Sequence, residues 1–303
     1  VIYNPEENEE INLIMKGIGL LSKLLIKATN LVVNQIQAEG MQVHLTGKNI
    51  EVKGLVQAKE IIIEASENDT LLDIGVPDEV NNLIEIDKSL SVSTMDVLTS
   101  SKIVIGKDAS LQADGNVTLN ASGSQKNNLV PSIINVKIGN VKIDILGSIT
   151  AGGAVTASAT SEFDAKADNK HLAEYFVPLA ISVVVAESKV NVGEGAVITA
   201  NGDIKLSSRS DVKLKTISTV GSIPISLALS VIVNDSHVEV LGTLISTGGN
   251  VTMEAEGNTT VITKSSKTAP QTSENAVNPQ NPSSSTPTGI GSIANQFGGF
   301  FAV

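Results

Sequence analysis

The stretch VNVGEGAVITANGDIKLSSRS, residues 190–210, contains three short segments in which apolar and polar residues alternate. They begin at Val190, Ile198 and Ile204, and turn residues such as the NGD at 201–203 separate them. A period of two is typical of a β-strand with one buried face. Strands this short are not stable alone. The stretch therefore predicts strands that stack on further copies of the same pattern.

Such copies recur along the chain, and those that start at 103 and 190 align without a gap at an offset of 87 residues. The apolar positions that open the first segment of each copy are Ile103, Ile143, Val190 and Val238. The second segments are Leu111–Ala113, Ile149–Ala151, Ile198–Ala200 and Ile245–Thr247, and the third segments open at Val117, Val155, Ile204 and Val251. We expect the four opening residues to form one buried column along the axis of a solenoid.

A shorter repeat precedes these copies. Residues 31–45 align with 50–65 at an offset of 19 to 20, which places Leu31, Val33, Ile36, Met41 and Val43 over Ile50, Val52, Leu55, Ile61 and Ile63. The offset predicts a coil of about 20 residues. The units that begin at Pro131, Pro178 and Pro224 are 46 to 47 residues apart, so we interpret each as about two coils. Their nearly continuous apolar runs predict strands buried on both faces or packed against a neighbouring element.

Both ends of the chain depart from the pattern. Residues 5–27 place apolar side chains at helical spacing, namely at Ile11, Ile14, Ile18, Leu21 and Leu25, and predict a helix that caps the solenoid; a helix on a membrane surface is the alternative. We divide the chain into a helical cap or entry segment (1–29), β-solenoid repeats (30–264), a Ser/Thr/Pro/Asn-rich linker (265–288) and an apolar tail (289–303). The chain begins at Val1 without an initiator Met, and its acidic start, at Glu6, Glu7, Glu9 and Glu10, does not fit a signal peptide. We therefore expect a fragment or a processed chain.

Composition excludes several classes of function. The net charge is -11 and Arg209 is the single arginine, so the chain lacks the basic surface that nucleic acids require. It contains no cysteine, which excludes disulfides and thiolate metal sites. Its most apolar run, 177–186, is about half as long as a membrane-spanning helix, so we expect no transmembrane helix.

The residues that could carry catalysis do not form a constellation. His44 and His237 are expected on the outer face, and His171 lies in a less regular stretch as a candidate site residue. The equivalent outward positions of the first segments are Glu51, Val104, Asp144, Asn191 and Glu239. Acids that alternate with uncharged residues do not supply the carboxylate cluster of a β-helix lyase or hydrolase. We therefore expect no enzyme and no cofactor.

One acidic region remains a candidate for calcium. Residues 60–96 contain ten acidic residues against only Lys88, and hard cations bind several carboxylate oxygens. Neither an EF-hand loop nor a GGxGxDxUx nonapeptide is present in the region. Calcium is therefore an open alternative to a solvated acidic surface.

The units VNVGEGAVITANGDIKLSSRS and VEVLGTLISTGGNVTMEAEGN, each preceded by SVVVAES or SVIVNDS, resemble the repeats of giant bacterial filamentous adhesins, including leukotoxin-like and hemagglutinin-type surface proteins. The resemblance covers residues 30–262. It implies a right-handed parallel β-helix, a much longer parent polypeptide, and secretion or display on a bacterial cell surface. It transfers no catalytic residue.

From these observations we expect a structural or adhesive rod that associates with copies of itself or adjacent modules, and with surface glycans or host proteins. The alternative is a β-helix that binds or degrades carbohydrate, although the chain has no Trp and only two Tyr to stack on sugars. The tail carries Phe297, Phe300 and Phe301 beyond a flexible linker. We expect these phenylalanines to mediate self-association into filaments.

Overall fold

The computed structural model describes residues 1–5, 10–16, 22–68, 71–74, 94–125, 134–169, 179–220 and 226–267. Those ranges form eighteen β-strands and no helix. The strands are β1 (Ile2–Tyr3), β2 (Glu10–Lys16), β3 (Lys23–Lys27), β4 (Asn30–Gly47), β5 (Asn49–Asn68), β6 (Leu71–Ile74), β7 (Thr94–Ile105), β8 (Ser110–Ala113), β9 (Val117–Gln125), β10 (Ile134–Ile145), β11 (Ser148–Ala151), β12 (Val155–Asp168), β13 (Leu179–Val192), β14 (Val197–Ala200), β15 (Ile204–Val220), β16 (Leu227–Val240), β17 (Thr243–Ser246) and β18 (Val251–Lys267).

Nearly all of these strands pair in parallel with the equivalent strand of the next coil, which gives a β-solenoid-like structure. The residues that open the first segments are register partners, as predicted. Leu31 and Ile50 extend the same column, which reads Leu31, Ile50, Ile103, Ile143, Val190 and Val238. All are buried except Val238, which lies half-buried in the last coil. The predicted buried column is confirmed.

The 47-residue unit is one coil, so its interpretation as two coils is wrong. β10 pairs directly with β13, and β13 with β16, over their whole lengths. The extra residues form long strands that leave the coil after its third segment and return before the first segment of the next. We call this two-layered extension the fin, with outgoing strands at 121–125, 159–168, 208–220 and 255–267 and return strands at 94–101, 134–141, 179–188 and 227–236.

The fin has its own apolar core, separate from the main core of the coils. This second core consists of Phe163, Ala165, Val184, Ala186, Val212 and Leu214, with Ile232 packed against it. The ring of Phe163 lies over Gly139 on the opposite sheet, where a Cβ would come within 1.9 Å of the ring. Glycine at 139 therefore provides the space that the one buried phenylalanine of this core fills.

Buried serines join the two layers where the fin leaves the coils. The Ser188 hydroxyl donates to the carbonyl of Ala159 (2.9 Å), and the Ser208 hydroxyl donates to the carbonyl of Ser188 (2.6 Å). Deeper in the fin, the fully buried Lys137 ammonium donates to the carbonyl of Asp164. Because a buried polar group is costly unless it is bonded, these contacts fix the distance between the two layers.

The predicted capping helix over 5–27 is wrong for the part of it that the structure describes. That part forms strands β2 and β3, which pair in parallel with β4. Burial there has a period of two: Leu24 and Ile26 are fully buried, whereas Ile14 is 72% exposed. The helical spacing arose because apolar residues on both faces of the strands mimic it, and backbone pairing with β4 outweighs that local pattern.

Two predicted registers also need correction. Ile36 pairs with Val56 rather than Leu55, because β5 has one extra residue at 53–54 opposite residue 34 of β4. Val43 pairs with Ile61 rather than Ile63, because β4 has two extra residues around Gly40. Gly40 has a φ of 71°, a left-handed conformation that glycine adopts without strain. In the last coil, Leu244 rather than Ile245 is the partner of Ile198. Ile245 accordingly faces outward and is 43% exposed.

The shift at Leu244 follows from an alternation in the length of the first corner, which is the connection between the first and second segments of each coil. The corner has four residues at 106–109 and 193–196 but two at 53–54, 146–147 and 241–242. Each two-residue corner from 146 onward places a glycine against the preceding four-residue corner. A Cβ at Gly147 would lie 2.3 Å from the carbonyls of Gly106 and Ala109. Long and short corners therefore nest. The copies that start at 103 and 190 align without a gap because both have long corners.

The two ends of the coil stack differ. Leu24 and Ile26 in the first coils are fully buried, whereas Val251 and Met253, the last members of the same columns, are 44% and 56% exposed. The fin is also covered at its first edge, where β6 pairs antiparallel with residues 94–97 of β7. Its last edge, β16 and β18, has no such cover among the described strands.

The described ranges contain no helix that is long and apolar enough to cross a membrane.

We predict that Ile143→Ala lowers the free energy of unfolding by about 2–5 kcal/mol, because it leaves a cavity in the middle of the buried column. Ile245→Ala makes the same chemical change at a position that is 43% exposed and should change stability by at most about 0.5 kcal/mol. Chemical denaturation followed by circular dichroism measures both. Equal effects of the two substitutions would contradict the assigned faces.

We also predict that Gly139→Ala costs about 1–3 kcal/mol, because the new Cβ overlaps the Phe163 ring. The cost should shrink in a Phe163→Leu background, and a double-mutant cycle measures that coupling. Gly257→Ala is the matched control, since a Cβ there meets nothing closer than 3.8 Å. A cost at Gly139 that Phe163→Leu does not reduce would refute the packing of this pair.

Candidate functional site

Two rows of polar side chains run along the outer face of the first segments. One row contains Lys102, Lys142, Lys189 and His237, and the next contains Glu51, Val104, Asp144, Asn191 and Glu239, in the predicted alignment. Asp144 is buried and lies 3.1 Å from the Lys142 ammonium, and the Asn191 amide donates to it at 3.3 Å. Each described acid beyond Glu51 in this row therefore has a basic or amide partner.

The pair in the last two coils is electrostatically the most marked. The Lys189 ammonium lies 2.8 Å from Glu239, and this hydrogen bond raises the pKa of Lys189 and lowers the pKa of Glu239. Desolvation of Lys189 acts in the opposite direction and is outweighed. Both groups are therefore charged at neutral pH, and the pair bridges two successive coils.

The described part of the acidic region, on β5, is bonded to the preceding coil. Glu60 accepts from the Gln42 amide (2.8 Å) and Glu64 is bonded to His44 (2.7 Å). Glu67 is buried and accepts from the Lys48 ammonium and from the backbone N–H of Ser100 (2.5 Å), at the base of the fin. These carboxylates thus connect coils. The sequence assigned them to an acidic surface because their partners lie 18 to 33 residues away.

Calcium remains a hypothesis for the rest of this region. Within the described ranges no group of three or more His, Asp or Glu side chains could hold a metal ion. Asp69, Asp78, Glu79, Glu85 and Asp87 lie outside the described residues.

The three histidines differ in surroundings. His237 is exposed, as predicted. His44 lies on the outer face, but only 17% of its side chain is exposed, and its Nδ1 is buried without a hydrogen-bond partner. Leu25 and Ile62 are its register neighbours and account for this cover. His171 lies outside the described residues, as do Phe297, Phe300 and Phe301.

A groove of about 380 Å³ lies on the face of the coils beside the start of the fin. Its lining includes the polar residues Asn30, Asn49, Glu51 and Lys102. The Asn49 amide donates to Asn30 at 2.8 Å, so part of the polar lining is already satisfied within the protein. The lining contains no aromatic side chain on which a sugar ring could stack.

The outer face of the outgoing sheet of the fin is a charged surface. Lys166 lies 3.6 Å from Asp168, and Arg209 lies 2.8 Å from Asp211. Burial alone would raise the pKa of Asp211, but hydrogen bonds from Arg209 and Asn258 lower it below its ordinary value. The face therefore carries interleaved charges of both signs, which keep it hydrated.

We predict that Lys189→Met raises the pKa of Glu239 toward that of an unpaired glutamate, as measured by carboxyl-detected NMR titration. A carboxyl whose pKa is lowered by folding stabilises at neutral pH, and that contribution is lost as the pH falls through its folded-state pKa. Lys213→Met removes the same charge from the fin and should leave Glu239 unchanged. A Glu239 pKa that does not respond to Lys189→Met would show that the pair is not formed in solution.

No family model, curated protein or solved structure matches this chain. Three features of the molecule bear on its function: the coil stack, the coil-bridging ion pairs and the two faces of the fin.

Proposed function

We propose that this chain is a segment of an extracellular structural or adhesive rod, secreted or displayed on a bacterial surface as part of a larger repetitive protein. The observation that carries the proposal is the unbroken register of inward aliphatic side chains through successive coils. One such column runs through Ile11, Val33, Val52, Ile105, Ile145, Val192 and Val240. At about 4.8 Å per coil it spans about 29 Å.

The exposed last coil supports extension in one direction. Val251 and Met253 are inward by register but largely exposed, and the backbone of β16 and β18 offers an unpaired parallel edge among the described strands. A further coil of the same pattern would cover both. We propose that the coils are right-handed, in line with the strong preference of parallel crossovers for that hand.

The partners we propose are copies of this chain or adjacent modules, together with surface glycans or host proteins on the rod's outer faces. The apolar tail remains a candidate for self-association through Phe297, Phe300 and Phe301. The resemblance to filamentous adhesin repeats supports these assignments, and so do the rows of polar side chains on the outer face of the coils.

The second candidate function, a protein that binds or degrades carbohydrate, rests on the groove at Asn30 and Lys102. Against it stand the pairing of Asp144 and Glu239 with lysines and the aliphatic character of the core. We expect no turnover of polyuronides. Turnover that Asp144→Asn or Glu239→Gln abolishes would favour this second function.

We predict that the coil stack accepts further units. Two tandem copies of residues 132–225, inserted after 225, should fold with the same β-sheet spectrum and lengthen the particle by about 19 Å, because each copy adds a short-corner and a long-corner coil of about 4.8 Å each. Small-angle X-ray scattering measures the length. A shuffled insert of the same length is the control, and a tandem array that unfolds or fails to lengthen would contradict the proposed rod.

A further inference from the structure

The two outer faces of the fin have opposite chemistry. The outgoing sheet exposes charged pairs such as Lys166 with Asp168 and Arg209 with Asp211. The return strands of three successive coils instead expose only aliphatic side chains from their first residues as far as residues 138, 185 and 233. We call this set the aliphatic patch: Ile134, Val136, Ile138, Leu179, Ile181, Val183, Val185, Leu227, Leu229, Val231 and Val233.

The patch is exposed and continuous. Its rows are register partners, so Val136, Val183 and Val231 lie side by side. Leu227 is 55% exposed and Val233 is 47% exposed, with the remaining members exposed or half-buried. The alternate residues of the same strands face the interior of the fin. The apolar sequence runs are therefore buried on one face only, and the other face is available to a partner.

The strand spacing and rise give the patch a flat footprint of roughly 15 Å by 20 Å, or about 300 Å². A contiguous apolar surface of about this size is the largest patch on an ordinary monomer, and such patches are often functional. A standard interface covers about 800 Å² per partner. The patch alone therefore supports a weak contact, and each added coil would enlarge it by about 100 Å².

The charged residues around the aliphatic patch indicate which kind of partner it can bind. The row beyond the patch contains Asn140, Glu187 and Asp235, and the chain's net charge is -11, so an anionic membrane would be repelled. The patch offers no hydrogen-bonding side chain to a glycan. A second flat aliphatic sheet is complementary to it, because two such faces pack at about 10 Å with interdigitated side chains.

We propose that the aliphatic patch is the lateral contact between two copies of this chain, so that rods associate side by side through their fins. This inference extends the proposed rod function by naming a partner and a surface. It does not depend on the apolar tail.

The acidic row also determines the arrangement of the two copies. If each row faced its own counterpart, Glu187 would lie opposite the Glu187 of the second copy, which like charge disfavours. A two-fold axis parallel to the coil stack reverses the strands, so that Leu179 faces Val185 and the acidic rows lie at opposite ends of the contact. This arrangement makes the two rods parallel, and it adds contact in every coil.

Sedimentation equilibrium of the full chain from about 10 μM to about 1 mM tests the contact, since interfaces below the standard size form weak complexes. We expect a monomer–dimer equilibrium whose dissociation constant rises at least tenfold in Val183→Lys/Val231→Lys. The matched control is Ile217→Lys/Ile262→Lys, which alters one half-buried and one exposed aliphatic residue on the charged face and should leave the dimer unchanged.

Each alternative outcome is distinct. A wild-type chain that stays monomeric throughout overturns the lateral contact but leaves the lengthening of tandem arrays, and hence the rod, untouched. Association that deletion of residues 289–303 abolishes, while Val183→Lys/Val231→Lys retains it, assigns the contact to the tail and overturns the proposal. If the lysine variant does not fold, Val183→Thr/Val231→Thr keeps the shape of the side chains and should still weaken the dimer.

Disulfide trapping tests the arrangement, because the chain has no native cysteine. A mixture of Leu179→Cys and Val185→Cys chains should form disulfide-linked heterodimers under mild oxidation. Leu179→Cys alone should form few homodimers. Homodimers of Leu179→Cys that predominate over heterodimers would overturn the parallel arrangement.

Discussion

Parallel hydrogen bonding between one coil and the next is the constraint on which the rest of this structure depends. It holds each strand about 4.8 Å from its neighbour and allows no freedom of register where one face is buried. Every column follows from that constraint, whether aliphatic inside or polar outside. The ion pairs Lys189–Glu239 and Lys48–Glu67 form because residues 50 and 19 positions apart in sequence become neighbours in adjacent coils.

The fin shows how the same pairing supports a second architecture. Once the strands continue beyond the coil, two sheets face each other without a coil around them, and their spacing has to come from side chains. Phe163 over Gly139 and the serine hydrogen bonds supply it. The two outer surfaces are then free to differ. One carries charges that stay in water, and the other carries aliphatic residues whose solvent exposure favours association.

The sequence predicted what depends on period-two alternation and failed where longer-range information was needed. The column from Ile103 to Val238 was predictable because each member opens an identical segment. The strands at 10–16 and 23–27 could not be predicted in this way. Ile11, Ile14 and Leu25 fit a helix as well as two strands unless their pairing with β4 is known. The 47-residue unit has the same apolar pattern whether it closes a second coil or leaves and returns as a fin. The inward residue of the second segment in the last coil was predicted one position late, at Ile245 instead of Leu244, because the alternation does not specify the length of the corner.

The alternation of corners has a consequence for the symmetry of the coil stack. Backbone and core repeat with every coil, but the edge formed by the first corners repeats only with every second coil, since long corners at 106–109 and 193–196 are separated by a short one. The translational period along that edge is therefore about 9.6 Å, twice that of the core. A ligand that recognises the long corners meets equivalent sites at this doubled spacing. The coil stack therefore has two translational periods, about 4.8 Å along its faces and about 9.6 Å along this edge.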